Sequence, residues 1–177
     1  MKGYSVSHWS AAPKRNEGSS MNAYRSKPLK FPWPPVLYGL AFVSAFLLGE
    51  IAGLPVPRVH SAFAWILGTA LTVAAVSLDI WAIKTLLESR TTILAHRATA
   101  HLVTRGPFRY TRNPIYLGYT LATIAFGLMT ANSWFYVAAV VAAIVTTFVA
   151  IRREERHLQA RFGCDFESYC RRTRRWI

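Results

Sequence analysis

Apolar residues along this chain form four long runs separated by polar or turn-forming segments. The runs cover about residues 31–50, 59–83, 115–130 and 133–151. Their lengths approach the roughly 20 residues that a helix needs to cross the hydrocarbon core of a bilayer. Because backbone polar groups must be paired inside lipid, such runs are expected to be helical. The pattern predicts an all-α integral membrane bundle with about four transmembrane helices.

The last two runs are joined by Thr130-Ala-Asn-Ser133, which is short enough to predict a tight helical hairpin. No residue between Arg112 and Arg152 is charged. A hairpin returns both of its ends to the same membrane face. The polar segments at those ends, His101–Tyr116 and Arg152–Glu155, are therefore predicted to meet and to form one site.

The chain is basic, with a formal net charge of +13, and 53% of its residues are hydrophobic. Basic chains often bind nucleic acid, so the position of the charges decides the interpretation. If the chain crosses the membrane four times, all but one of the 21 Lys and Arg residues lie on the same side of the membrane. Only Arg58 lies on the other side. This asymmetry is typical of the positive-inside rule. It predicts an integral protein of a bacterial-type inner membrane with both termini cytoplasmic, and no nucleic-acid partner.

Two regions are predicted along the chain. Residues 1–30 mix Ser, Pro, Asn, Gly and Lys without periodicity, which indicates a disordered basic arm. Residues 31–177 form a single membrane domain. Inside the second run, Asp79 is a functional candidate because carboxylates in membranes are rare, although near a helix end it can also snorkel or pair with a base. Lys84 and Glu88 have the spacing of a helical ion pair.

A helical segment is predicted to follow the last run into the cytoplasm. Glu155, Leu158 and Phe162 recur at steps of three and four residues and so share one helix face. Gly163 is expected to end this helix. Asp165 is the predicted N-cap of a second short helix.

The predicted meeting point offers groups that suit a nucleotide-like zwitterion. Gly106-Pro107 and Asn113-Pro114 are turn signals that leave backbone groups available to a ligand. Glu154 and Glu155 can bind an ammonium group or ribose hydroxyls. Flat faces for an adenine ring or a sulfonium come from Phe108, Tyr110 and Tyr116. The set predicts a cofactor at the membrane surface with its reactive end toward the lipid.

The block Leu102-Val-Thr-Arg-Gly-Pro-Phe-Arg-Tyr-Thr-Arg-Asn-Pro-Ile-Tyr-Leu-Gly118, the apolar hairpin, Arg153-Glu-Glu155, Arg161-Phe-Gly163 and a basic C-terminus occur in this order. In combination they resemble the isoprenylcysteine carboxyl methyltransferase and phospholipid methyltransferase superfamily, over about residues 84–177. The resemblance implies an integral-membrane methyltransferase that depends on S-adenosylmethionine.

The resemblance also implies a cofactor pocket built from residues 84–118 and 152–177. With the turn and aromatic residues above, the candidate cofactor-binding residues are His101, Leu102, Val103, Gly106, Phe108, Tyr110, Asn113, Pro114, Ile115, Tyr116, Glu154 and Glu155. The family's signature commonly reads Arg-His-Pro, whereas this chain has Asn113. Asn forms hydrogen bonds but does not titrate near neutrality, so Asn113 is not a general base and keeps only a positioning role.

The predicted catalytic residues are Arg152, Arg153 and Glu155. Methyl transfer from a sulfonium is an in-line displacement in which the protein mainly aligns the reactants. A carboxylate or thiolate acceptor needs only orientation, for which the arginines are candidates. A protonated amine acceptor also needs a base, for which Glu155, Glu154 and Asp79 are candidates.

The function implied by the resemblance is methyl transfer to a lipophilic acceptor at the cytoplasmic membrane face, most like isoprenylcysteine carboxyl O-methylation. Three alternatives remain open: a phospholipid-type amine N-methyltransferase, a sterol-reductase-like membrane protein that binds NADPH, and a non-catalytic membrane scaffold. The expected partners are the acceptor and membrane lipid. No metal is expected, because His96 and His101 lack a third ligand at suitable spacing.

Overall fold

The computed structural model describes residues 33–52, 62–89 and 102–177, and the predicted all-α class is confirmed there. The elements are α1 (Trp33–Ile51), α2 (Ala62–Glu88), a 3-10 turn (Gly106–Arg109), α3 (Pro114–Thr130), α4 (Trp134–Thr146), a π-helical turn (Thr147–Ile151), α5 (Arg152–Phe162) and α6 (Cys164–Arg172). These stretches contain no β-strand, only an isolated bridge between Thr111 and Arg174. The predicted arm, residues 1–30, lies outside the described residues.

Three helices are long and apolar enough to cross a membrane: α1, α2 and the continuous helix Trp134–Phe162. The fourth, α3, has 17 residues, which gives about 26 Å at 1.5 Å per residue against a hydrocarbon core of about 30 Å. Large apolar side chains cover the outside of the bundle; Phe63 is 73% exposed and Ile66 is 68% exposed. Such a surface suits lipid rather than water. The protein is therefore an integral membrane protein with three to four spans.

The α3–α4 hairpin is as tight as predicted. Ala131 ends α3 in the left-handed conformation (φ 51°) and its N–H donates to the Gly127 carbonyl. Asn132 accepts a bond from the Trp134 N–H (3.1 Å) and donates from its amide to the Ala45 carbonyl of α1 (3.2 Å). The turn is therefore fixed from within and from α1, and both ends of the hairpin lie at one end of the bundle.

The helices pack around α3 and α4. α2 runs along α3, while α1 packs mainly on α4 and less extensively on α3. Small residues let α2 approach: Ala75 and Ala82 are fully buried on the face toward α3. The rings of Phe42, Phe126 and Phe135 pack together with centroids 4.6 to 5.0 Å apart and join α1, α3 and α4.

The polar ends of the helices differ in part from the sequence prediction. α2 continues to Glu88, beyond the predicted end at residue 83, and the predicted pair forms, with Lys84 Nζ 4.0 Å from Glu88 Oε1. Gly163 does end α5, at φ 51°. The prediction that Asp165 is an N-cap is wrong: Gly163 holds the cap position and Asp165 lies in the first turn of α6. Its carboxylate there suits the positive end of the helix dipole.

Candidate functional site

The polar segment before α3 is fixed against α2 by a glycine that no other residue could replace without strain. Gly106 has φ 61°, and a Cβ built on it would lie 2.5 Å from Thr85 Oγ1. Pro107, the next residue, is buried, and its carbonyl accepts from the N–H groups of Tyr110 (3.0 Å) and Thr111 (3.2 Å). This close approach holds the 3-10 turn against α2 and so fixes the position from which the chain enters α3.

Asn113 holds the C-terminal tail rather than capping α3. It occupies the N-cap position before Pro114 but makes no side-chain cap. Its amide nitrogen instead donates to the Arg175 carbonyl (2.9 Å), and its backbone N–H donates to Thr111 Oγ1 (3.2 Å). The Thr111 hydroxyl also lies 3.3 Å from the Arg175 carbonyl. The signature turn is thus bonded to residues about sixty positions later in the chain.

Glu155 is held between two arginines from opposite ends of this region. Its carboxylate accepts two bonds from the Arg175 guanidinium, at 2.9 and 2.6 Å. Arg112 Nη2 lies 3.4 Å from Glu155 Oε1, the oxygen that also accepts from Arg175 Nε. The side chains of Arg112 and Glu155 are only 14% and 17% exposed. Because little water reaches them, the Glu155 carboxylate supplies the counter-charge that the Arg112 guanidinium needs. The hydrogen bond to Glu155 also raises the pKa of Arg175, which keeps the Arg175 guanidinium protonated.

Glu154 makes a separate contact on the neighbouring face of the helix. The Tyr116 hydroxyl donates to Glu154 Oε1 at 2.7 Å. Both glutamates of Arg152-Arg-Glu-Glu155 therefore contact the segment 112–116, one through an arginine and the other through a tyrosine. The hairpin has joined the two polar segments.

The C-terminal tail closes the site over the 3-10 turn. Tyr169 donates its hydroxyl to the Phe108 carbonyl (2.6 Å), and Thr173 Oγ1 lies 3.3 Å from the Arg109 carbonyl. Burial raises the pKa of Tyr169, which keeps the hydroxyl protonated as a donor. The Arg112 N–H donates to the Arg174 carbonyl (3.0 Å). These bonds satisfy carbonyls that an irregular turn leaves open.

Several predicted site residues are not drawn into this cluster. Arg152 and Arg153 are exposed, and the Arg152 guanidinium lies 4.1 Å from the centroid of the Phe148 ring. Tyr110 is 68% exposed, with its ring 6.4 Å from that of Trp81. The remaining positions approach the cluster along the chain: Leu102, Val103, Phe108 and Ile115 are half-buried, and Pro114 is buried. His101 lies outside the described residues.

The structure also adds residues that the sequence prediction did not assign to the site. Arg112 contributes Nη1 to Cys170 Sγ as well as Nη2 to Glu155, and Arg175 contributes both its guanidinium and its carbonyl. In the sequence both residues belong to basic stretches, which the positive-inside rule is enough to explain. The one available signal is that Arg112 directly precedes the Asn-Pro turn, and nothing local marks Arg175.

Buried polar atoms without a partner lie in the same region. Among the described residues none pairs with Arg112 Nε or with either ring nitrogen of His157. Each such atom calls for an explanation, because buried polar groups are almost always hydrogen-bonded. Within the same part of the chain there is no group of three His, Cys, Asp or Glu residues able to hold a metal ion.

Comparison with known proteins defines the class of protein to which this fold and site belong. Residues 63–165, which include the Asn113 turn, the hairpin and Glu155, match the model of the phospholipid methyltransferase family. The match covers more than half of the chain. The chain belongs to the phospholipid methyltransferase family.

Two relatives are similar over shorter or partial stretches. The chain is 30% identical over 134 residues to the nickel-cobalt-cadmium resistance protein NccN of Alcaligenes xylosoxydans xylosoxydans, a match that covers 74% of this chain and 58% of NccN. It is 30% identical over 63 residues to an uncharacterised protein of Haemophilus influenzae, which covers 36% of this chain and 100% of that protein. The chain therefore spans little more than half the length of NccN.

Proposed function

We propose that the protein transfers a methyl group from S-adenosylmethionine to a lipophilic acceptor at the membrane face where α5 leaves the bilayer, which the charge asymmetry predicts to be cytoplasmic. The observation that carries this proposal is the contact of Glu155 with Arg112 and Arg175, together with the bond from Asn113 to the tail. It brings the family's turn and the twin glutamates together at one end of the apolar hairpin.

The residues present fit the amino-acid part of the cofactor. Arg112 Nε is a buried donor without a partner among the described residues, which suits a carboxylate. Glu154, bonded at Oε1 by Tyr116, suits an ammonium group or ribose hydroxyls. The ring nitrogens of His157, likewise unpaired, offer a further donor or acceptor. When bound, S-adenosylmethionine supplies an activated methyl group.

The candidate residues take different roles in this proposal. Phe108 and Tyr116 supply ring faces, and the backbone of the segment from His101 to Val103, with Gly106, supplies polar groups. Pro114 and Ile115 shape the start of α3, and Tyr110 stands at the rim because it is exposed. Asn113 has a positioning role: its amide donates to the Arg175 carbonyl and so holds the C-terminal tail in place.

The arginines around Glu155 restrict the chemical class of the methyl acceptor. A carboxylate acceptor, as in isoprenylcysteine O-methylation, needs a cation to orient it. Arg152 and Arg153 are exposed and make no described contact with Glu155, while Arg112 and Arg175 are already paired with it. Arg112 Nε is the unpaired donor that suits the cofactor carboxylate, so in this proposal neither arginine of the cluster is left for an acceptor carboxylate. This favours an acceptor whose reacting group is not an anion.

Ligand-dependent thermal stabilisation of the purified protein in detergent tests the proposal. S-adenosylhomocysteine is expected to raise the melting temperature by mass action, because it binds the folded state. NADPH is expected to have no effect. Stabilisation by NADPH alone would support the reductase alternative and refute the methyltransferase, and no response to either nucleotide would favour a scaffold.

A further inference from the structure

The last five residues, 173–177, present different side chains to the candidate site and to its surroundings. Thr173 is in the extended conformation, with φ −129° and ψ 130°, and side chains alternate along an extended chain. Thr173 is buried and Arg175 bonds Glu155, whereas Arg174 between them is exposed. The segment therefore has an inner side that bonds the candidate site and an outer side that carries an exposed charge.

This segment lies at the level where the membrane span ends. Trp176 donates its indole N–H to Thr147 Oγ1 at 3.3 Å, in the π-helical turn between α4 and α5. The next residue, Phe148, is 55% exposed, and the Arg152 guanidinium lies 4.1 Å from its ring centroid. The helix therefore changes from an apolar to a charged surface within about 6 Å of rise. Because Trp is also common at this boundary, the outer side of residues 173–177 lies at the height of the lipid headgroups.

Exposed arginines surround the outer side of the segment. We name this set the arginine patch; it consists of Arg109, Arg171, Arg172 and Arg174. The Arg109 carbonyl lies 3.3 Å from Thr173 Oγ1, and Arg171 and Arg172 belong to the last turn of α6, directly before the segment. Every ion pair in the described ranges of the chain involves other residues. Among those residues, the patch therefore has no carboxylate to balance it.

The chemistry of the patch complements the headgroup of an anionic phospholipid. A guanidinium can form two parallel hydrogen bonds with phosphate oxygens, and basic residues near an anionic bilayer surface are attracted to it. Apolar side chains flank the charges: Ile177 is 79% exposed, and Tyr110, which follows Arg109, is 68% exposed. A soluble anion would match only the charges. A lipid matches both the charges and the apolar rim.

The patch is connected to the candidate site through the backbone of the same segment. The Arg174 carbonyl accepts from the Arg112 N–H at 3.0 Å. The next residue, Arg175, bonds both Asn113 and Glu155. Like charges in the patch repel one another and Arg175, and such repulsion opposes a compact arrangement. An anion on the outer side would remove this repulsion and stabilise the inner bonds.

We propose that the arginine patch binds anionic phospholipid headgroups in the leaflet where α5 leaves the bilayer, and that this binding holds residues 173–177 closed over the candidate site. The second part rests on the proposed function, because it makes cofactor affinity depend on the surrounding lipid. The first part does not, since lipid binding can be measured without a cofactor.

The first measurement determines the lipid preference of the full-length chain. The protein is placed in nanodiscs of equal parts phosphatidylcholine and phosphatidylglycerol, and the lipids that stay bound after release are counted by native mass spectrometry. The native chain should retain phosphatidylglycerol in preference. Arg174→Gln should reduce this retention roughly threefold to fivefold through the loss of one charge near the surface. Arg171→Gln, whose backbone makes no contact with the site, should act in the same direction.

Arg161→Gln is the matched control. It removes the same charge from an exposed arginine of α5, but one that lies about 13.5 Å along the helix beyond Arg152. This distance exceeds the screening length of about 8 Å at physiological salt. Retention of phosphatidylglycerol should therefore stay close to that of the native chain.

The second measurement is a calorimetric titration with S-adenosylhomocysteine in nanodiscs of phosphatidylcholine alone and of the mixture. Affinity should be higher in the mixture, and this gain should be smaller for Arg174→Gln than for Arg161→Gln. Equal retention of the two lipids, equal effects of the two variants, or binding that ignores the lipid would overturn the inference. So would an equal gain from inorganic phosphate added to phosphatidylcholine nanodiscs, since a free anion would then suffice. If phosphatidylglycerol is retained selectively but S-adenosylhomocysteine binds in neither lipid, the lipid site stands and the proposed function fails.

Discussion

The pair formed by Glu155 and Arg175 should contribute measurably to folding. Arg175 makes two charge-assisted bonds to Glu155, at 2.9 and 2.6 Å. Such bonds contribute about 1.5–3 kcal/mol each when shielded. Solvent reduces this value, because the Arg175 side chain is 37% exposed although that of Glu155 is only 17% exposed. We expect a coupling free energy of about 1–3 kcal/mol for the pair.

A double-mutant cycle with Glu155→Gln, Arg175→Ala and the double variant measures this coupling. Unfolding by sodium dodecyl sulfate in mixed micelles, followed by tryptophan fluorescence, gives the four free energies of unfolding. Glu155→Gln alone should be the more damaging single change, because it also leaves Arg112, 14% exposed, without its counter-charge. The coupling should persist in added salt, since half-buried pairs are screened weakly.

Lys84 and Glu88 provide the matched control in the same chain. They are 72% and 56% exposed and 4.0 Å apart, so their coupling should not exceed about 0.5 kcal/mol. A Glu155–Arg175 coupling as small as that of Lys84–Glu88 would refute the reasoning that the tail is bonded to α5 through a shielded ion pair.

Three further changes test single contacts of the site. Gly106→Ala should lower the melting temperature in detergent and abolish stabilisation by S-adenosylhomocysteine, because φ 61° and the nearby Thr85 leave no room for a side chain; unchanged behaviour would contradict the close approach. Tyr116→Phe should weaken S-adenosylhomocysteine binding about fivefold in a calorimetric titration, which corresponds to loss of one hydrogen bond of about 1 kcal/mol; equal affinity would remove Glu154 from the cofactor site. Asn113→His should keep cofactor binding if its ring donates to the Arg175 carbonyl, whereas Asn113→Ala should weaken it, and equal loss in both would show that the amide itself is required.

The architecture of the bundle could be predicted from the sequence, because a segment that crosses lipid must pair its own backbone polar groups and therefore forms a helix. An uncharged stretch between Arg112 and Arg152 that is long enough to cross twice, with a four-residue connection, specifies a hairpin. Gly118 lies within an apolar run, where a residue without a side chain lets two membrane helices approach closely. The identity of its neighbour, Asp79, depends on the register of α2 along α3, which no local pattern encodes.

The side-chain contacts within the candidate site could be predicted less completely from the sequence. The prediction that Glu155 lies beside the Asn113 turn followed from the hairpin alone, but its partners did not. Arg175 reaches it only because α5 breaks at Gly163 and α6 returns the tail over the 3-10 turn. Arg152 and Arg153 show the opposite case: they are adjacent in sequence to the glutamates but exposed. Arg153 lies one and two positions before the glutamates and so does not share their helix face, while the Arg152 guanidinium lies over the Phe148 ring.

Ultraviolet cross-linking of radiolabelled S-adenosylmethionine to the membrane-embedded protein, followed by peptide mapping, examines the central claim most directly. Label should appear in the peptides that contain residues 102–116 and 152–177, and excess unlabelled S-adenosylhomocysteine should remove it from both. Label confined to α1 or to the outer half of α2, or label that S-adenosylhomocysteine does not displace, would contradict a cofactor site at the junction of the Asn-Pro turn and the twin glutamates.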